Sequence, residues 1–156
     1  NKDYHVIFCG YDKFDHLSFL KNQINERKLS NYFTFFDYLE DEEIIAIYLN
    51  SHALVMPTFV GHYSLPLFES FYFKIPAFFT KDLLDESLTK YVYEIDTKIP
   101  SDLAKKLLEL KSKKNEVENL KKEAYNFYNS FCSLNRIKKT YNDIFEEVIY
   151  FKSMWK

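Results

Sequence analysis

Glycine is almost missing from this chain, with two in 156 residues, Gly10 and Gly61. A Gly-x-Gly-x-x-Gly phosphate turn cannot be built from that supply, so a dinucleotide fingerprint is excluded. No Walker loop and no Gly-x-Ser-x-Gly elbow is present either. Cysteine is as scarce: Cys9 and Cys132 share no motif, which excludes a disulfide framework and fits a reducing cytosol. The histidines His5, His16, His52 and His62 stand at no metal-ligand spacing, so no structural metal is predicted. No apolar run approaches the roughly 20 residues of a membrane span, and no signal peptide is visible. The net charge of −2 provides no basic field for nucleic acid. The sequence opens on Asn1 rather than Met and runs almost directly into a strand, which reads as a piece of a longer protein.

What the chain does have is apolar and aromatic mass. Hydrophobic residues make up 47%, enough for a sizeable core in one domain. Aromatics reach 19%, nearly all Phe and Tyr, and an AT-rich codon usage accounts for them as well as any stacking role does. Between Lys105 and Lys122 the lysines alternate with Glu109, Glu116 and Glu118, the pattern of a solvated helix face.

Taken in order, Tyr4 to Cys9 reads as a buried strand ended by Gly10, with Cys9 a buried thiol. Asp15 is a candidate cap for a helix to about Arg27 carrying Leu17, Leu20 and Ile24. Phe33 to Phe36 is a second strand. Asp41 is the expected N-cap of a helix with Ile44, Ile47 and Tyr48 on its apolar side. Strands follow at Ala53 to Met56 and Ile75 to Phe79, with a third, edge strand at Tyr91 to Ile95, after a charged loop or short helix over 81–86. Helices between short apolar strands predict an α/β fold with a doubly wound parallel sheet. Three helices close the chain. Pro100-Ser101 opens one with Leu103, Leu107 and Leu110. A capping box at Asn115 to Glu118 opens another, with Val117, Leu120, Ala124, Phe127 and Phe131 on one stripe. Ser133 caps the last, with Ile137, Tyr141, Ile144, Phe145 and Val148 facing inward.

The organising stretch is 54–76. Leu54 to Met56 is an apolar strand stopped by Pro57. A loop through Gly61, His62 and Tyr63 leads to Ser64, a plausible N-cap, and Pro66 in the first helical turn. From Leu65 to Phe73 only Glu69 and Ser70 are polar. A helix apolar on all sides is buried, so Glu69 is expected where a carboxylate is expensive. Two readings compete. Glu69 caps backbone or pairs with Lys74 or another base inside the fold, or it accepts hydrogen bonds from ligand hydroxyls at the carboxyl end of the strands. The helix start at Ser64 and Leu65 would suit a phosphate. His62 is either an exposed loop residue or a ligand contact, and Tyr38 is either packing or a neighbour of a bound base.

This stretch resembles the donor-binding, C-terminal domain of GT-B glycosyltransferases of family four. The resemblance rests on Met56-Pro57-Thr58, Gly61, Leu65-Pro66-Leu67-Phe68-Glu69-Ser70 and Ile75-Pro76-Ala77, and the order of strands and helices matches as well. It implies a Rossmann-like half of a GT-B fold with C-terminal helices. It implies that Glu69 holds the ribose hydroxyls of a nucleotide-sugar, that amides around Ser64 and Leu65 face the diphosphate and sugar, and that backbone near Tyr38 sits by the base. The chain departs from the family at three places. Gly61 stands where many members carry a second glutamate, eight positions before Glu69, and Asp37 and Lys74 stand where glycines are usual.

Residues 1–156 are then one donor-binding domain, lacking the N-terminal acceptor domain and the first elements of this domain. An Arg and a Lys that grip the diphosphate in the family would precede Asn1. The resemblance implies a nucleotide-diphosphate sugar as substrate, no metal or other cofactor, and a cytoplasmic enzyme with room for peripheral association with a membrane's inner face; the charge balance argues against nucleic acid as a partner. The alternative is a non-catalytic Rossmann-like interaction module with a degenerate site, which the departures motivate. A flavodoxin-like receiver is disfavoured because the acidic cluster after the first strand is missing.

Overall fold

A parallel strand pair needs a crossover long enough to return the chain to the starting edge, and the helix-length segments between these short apolar runs allow it. That is what forms. In the computed structural model, which describes residues 4–13, 15–59 and 64–155, the strand pairs among the described residues are all parallel. The chain falls into two compact units, Asn1–Ile47 and Tyr48–Lys156.

In the first unit, β1 (Val6–Cys9) pairs with β2 (Phe33–Phe36) in the register Val6 opposite Phe33. Helix α1 (His16–Glu26) is the crossover between them. Gly10 ends β1 with φ 140°, a conformation that side chains other than glycine rarely adopt, and its N–H donates to the Phe36 carbonyl. Two expectations fail here. All four residues of β1 are exposed, Cys9 among them. An apolar run predicts a strand, but a two-stranded sheet leaves faces for other elements to cover. Asp15 also fails as a side-chain cap, since it sits in the left-handed region at φ 53°. Asp12 instead accepts from the Leu17 N–H.

Helix α2 (Asp41–Asn50) takes in Asp41 as its first residue rather than as the expected N-cap, and the Glu40 carbonyl accepts from the Glu43 and Ile44 N–H groups at 3.0 Å. Glu43 reaches back to the Glu40 N–H at 2.9 Å, half of a capping box, and Asp41, Glu42 and Glu43 in its first turn suit the positive end of the helix.

The second unit holds a three-stranded sheet, β3 (Leu54–Met56), β4 (Ala77–Thr80) and β5 (Tyr93–Ile95), with β4 central. β4 is buried along its whole length. Helix α3 (Leu65–Tyr72) joins β3 to β4, and α4 (Glu86–Thr89) lies between β4 and β5. Then come α5 (Pro100–Ser112), α6 (Lys114–Phe131) and α7 (Leu134–Met154). The core gathers Leu67 and Phe71 of α3, Ala77 and Phe79 of β4, Leu84, Leu88, Val92, and Ala124 of α6. Each large side chain buried this way contributes about 1.5–3 kcal/mol. Ala124 is the small residue that lets α6 approach α3, and Phe127 stacks on Tyr91 and Phe131 alongside.

Three corrections belong to this unit. α6 begins at Lys114 with no side-chain cap, so Asn115 lies inside the helix and the capping box does not form. Helix α3 is buried on one face only, through Leu67, Ser70 and Phe71, while Leu65 and Tyr72 are exposed. An eight-residue helix at the surface presents its far side to water whatever its composition. The largest difference is α7. Ser133 caps it as predicted, accepting from the Arg136 N–H at 3.3 Å, yet Ile137, Tyr141, Ile144, Phe145 and Val148 are all exposed rather than inward-facing. Amphipathic spacing specifies a stripe; only a neighbour can bury it. No helix among the described residues is long and apolar enough to cross a membrane.

Candidate functional site

The site is built from the end of β3 and the start of α3. Pro57 and Thr58 leave the strand, residues 60–63 lie outside the described residues, and the chain is described again at Ser64. Gly61, His62 and Tyr63, all expected to line the site, therefore fall outside the description. Ser64 is extended, with φ −137°, and its side-chain oxygen accepts from the Leu67 N–H at 3.4 Å. Pro66 follows in the first turn, where a missing N–H is tolerated. The N–H groups at this helix end precede the intrahelical ladder and carry the positive end of the helix dipole.

Glu69 sits one turn further on, half-buried. Its carboxylate Oε2 accepts from the Tyr48 hydroxyl at 2.8 Å. Tyr48 is fixed in turn: its ring stacks on Phe73 at 5.1 Å between centroids and 11° between planes. Its hydroxyl also lies 3.4 Å from the Pro66 carbonyl. A phenol is neutral, so it orients the carboxylate without cancelling its charge. Among the described residues no ion pair to Glu69 is formed. Its charge is felt nearby. The Tyr128 hydroxyl is pushed above its ordinary pKa by burial first, then by Cys132, Tyr72 and Glu69.

Lys74, the predicted structural partner of Glu69, is engaged elsewhere. It occupies the left-handed region at φ 56°, and its ammonium lies 4.2 Å from the Tyr125 ring centre. The N–H of Lys74 bonds to the Phe71 carbonyl and that of Ile75 to the Ser70 carbonyl, the double bond pattern that closes a helix through a left-handed residue. The position thus keeps the backbone that glycine serves best, with lysine in it. Asp37 takes no left-handed conformation.

At the carboxyl ends of the neighbouring strands, Lys81 pairs with Asp96 at 3.6 Å, and its N–H bonds to the Ile95 carbonyl. The Thr80 hydroxyl, at the end of β4, is buried and has no hydrogen-bond partner among the described residues. Tyr38 belongs to the first unit, where it is 75% exposed and its hydroxyl lies 3.4 Å from Glu40. Of the predicted residues, then, the structure brings Ser64, Leu65 and Glu69 together on α3. A cleft of about 500 Å³ bounded by Lys90, Tyr91, Glu123 and Phe127 is lined by none of them.

Sequence reasoning missed Tyr48, which it placed only on an apolar helix stripe. The available signal was the hydroxyl: a tyrosine among aliphatic residues needs a polar partner when it packs.

Glu69 lies one turn into the helix that follows β3, and open α/β sheets bind ligands outside the carboxyl ends of their strands. The family comparison agrees with that architecture. The profile of the family described as glycosyl transferases group 1 matches residues 1–127, and the chain belongs to that family. Among solved structures, it is similar to a sucrose-phosphate synthase from Thermosynechococcus elongatus, with TM-score 0.76 and 12% identity over 92% of this chain and 38% of that one. It is similar to HepE from Anabaena, solved in complex with UDP, with TM-score 0.78 and 11% identity over 92% of this chain and 41% of that one. The C-terminal domain of a glycosyl transferase group 1 family protein from Francisella tularensis aligns with TM-score 0.70 and 18% identity, covering 84% of this chain and 70% of that one. At these identities the structural likeness establishes the fold, a Rossmann-like half of the GT-B architecture. The chain spans well under half the length of the first and second of these. A search of curated protein sequences found no match.

Proposed function

We propose that this chain is the nucleotide-sugar-binding half of a glycosyltransferase, which moves a sugar from a nucleoside diphosphate to an acceptor held by a domain outside these residues. The observation that carries the reading is Glu69. It is half-buried in the helix that follows β3, bonded by a neutral hydroxyl and with no ion pair among the described residues. Such a carboxylate is suited to accept from a vicinal diol, which the ribose of a nucleotide provides. The helix start at Ser64 and Leu65 takes the diphosphate and the sugar. As the glycosidic bond to the diphosphate breaks, negative charge develops on the leaving group. Dipoles already aimed at it lower the barrier without reorganising. Cations that complete this stabilisation come from outside the chain, as does the acceptor site, so residues 1–156 bind donor without turning it over. No metal is assigned a role. The free thiols support a cytoplasmic setting, and the exposed apolar face of α7 supports contact with a further surface, the missing domain or a membrane's inner face.

Calorimetric titration with a panel of UDP, GDP and ADP tests this. One of them binds, and Glu69→Ala weakens it by about tenfold or more, the scale of a lost charge-assisted hydrogen bond. Unchanged binding by the Glu69→Ala variant would remove Glu69 from the site. Failure of every nucleotide to bind the full-length protein would favour an interaction module that kept only the fold.

A further inference from the structure

The geometry points to Tyr48 as a positioning residue for donor recognition, acting through Glu69; this rests on the donor-site reading above. A glutamate in the second turn of a surface helix has three rotatable side-chain torsions, and a half-buried setting leaves several rotamers open. Recognition of a diol requires one of them. Three contacts converge to select it. The Tyr48 hydroxyl donates to Oε2 at 2.8 Å. The same hydroxyl lies 3.4 Å from the Pro66 carbonyl, at the start of the same helix. The ring below it is held flat against Phe73, the residue that caps the helix's other end, at 5.1 Å and 11°. The phenol therefore touches α3 near its first turn, at Glu69, and at its C-cap, and it comes from a different helix, α2.

The chemistry of the partner matters. A lysine or arginine in this place would neutralise the carboxylate and compete with ligand hydroxyls for it. A phenol takes one lone pair of Oε2, fixes the plane of the carboxylate and leaves the charge in place. Glu69 can then discriminate a ribose diol from a sugar without one, because an acceptor oriented in advance loses less entropy on binding.

The experiment is a double-mutant cycle in the full-length protein, using whichever of UDP, GDP or ADP binds tightest and its 2′,3′-dideoxy analogue. Tyr48→Phe keeps the ring on Phe73 and removes only the oxygen. It is expected to weaken ribonucleotide binding about fivefold, within the usual coupling range for contacting residues, and to leave dideoxy binding nearly as it was. In a Glu69→Ala background the same change is expected to have no further effect. Wild-type ribose preference in Tyr48→Phe would overturn the assignment. So would an equal loss with both nucleotides, or a loss that persists without Glu69, since each marks a packing role. If Tyr48→Phe behaves as wild type while Glu69→Ala abolishes binding, the donor site stands and only the positioning role falls. If wild type binds no nucleotide, both fall.

Discussion

Strands β1 and β4 read almost alike as sequence, Val-Ile-Phe-Cys and Ala-Phe-Phe-Thr, and they end in opposite environments. β4 is buried at all four positions, between two strands and under α3 and the core; β1 is exposed at all four and, among the described residues, pairs only with β2. Composition decides that a segment becomes a strand. Coverage is decided by what packs against it, which is information about other segments. The same lesson separates α6, whose stripe packs on α3 through Ala124, from α7, whose equally regular stripe is exposed from Leu134 to Trp155.

Truncation measures the contrast most strongly. Phe79→Ala in β4 is expected to cost about 3–5 kcal/mol, the range for a buried aromatic, and Phe8→Ala in β1 about 1 kcal/mol or less. Urea unfolding of each variant reads both values, and similar costs would erase the distinction. Next in size is the start of α3. Ser64→Ala removes the cap oxygen and should lower stability by about 1 kcal/mol, with Ser64→Thr restoring most of it in thermal melts. A silent Ser64→Ala would mean that the cap contributes nothing. At the other end of the helix the expected sign reverses. Lys74→Gly should stabilise the chain by about 0.5–1 kcal/mol, because glycine occupies φ 56° without the strain a β-carbon brings there. A loss instead would show that the Lys74 contact with Tyr125 outweighs the backbone.

The smallest expected effect concerns the edge strand beside β4. Asp102 on α5 is held below the ordinary aspartate range, first by the Lys106 ammonium at 2.9 Å and then by the Asp96 N–H. A lowered folded pKa gives stability that is present above the unfolded value of about 3.9 and lost as pH falls through the folded one. The difference between wild type and Lys106→Met should accordingly be steady near neutrality and shrink in acid below about pH 4. A gap that widens toward acid would contradict the assignment.

These contrasts show how far the residues alone could be read. The parallel α/β order, the Ser64 cap, Pro66 in the first turn and the position of Glu69 follow from local chemistry: turn residues, apolar runs and a cap at its usual spacing. What local chemistry could not supply was anything set by a distant partner. Glu69 was foreseen as a carboxylate needing compensation, but the compensating group is Tyr48, 21 positions away and masked by its place on an apolar stripe. Lys74 looked like a partner because it is close in sequence. Its left-handed backbone turns it toward Tyr125 instead.

The most direct test of the account is a crystal structure of this chain with a bound nucleoside diphosphate. The expected result has both ribose hydroxyls within about 3 Å of the Glu69 carboxylate and the diphosphate against the Ser64 and Leu65 end of α3. A nucleotide seated elsewhere, with Glu69 bonded only to Tyr48, would contradict it.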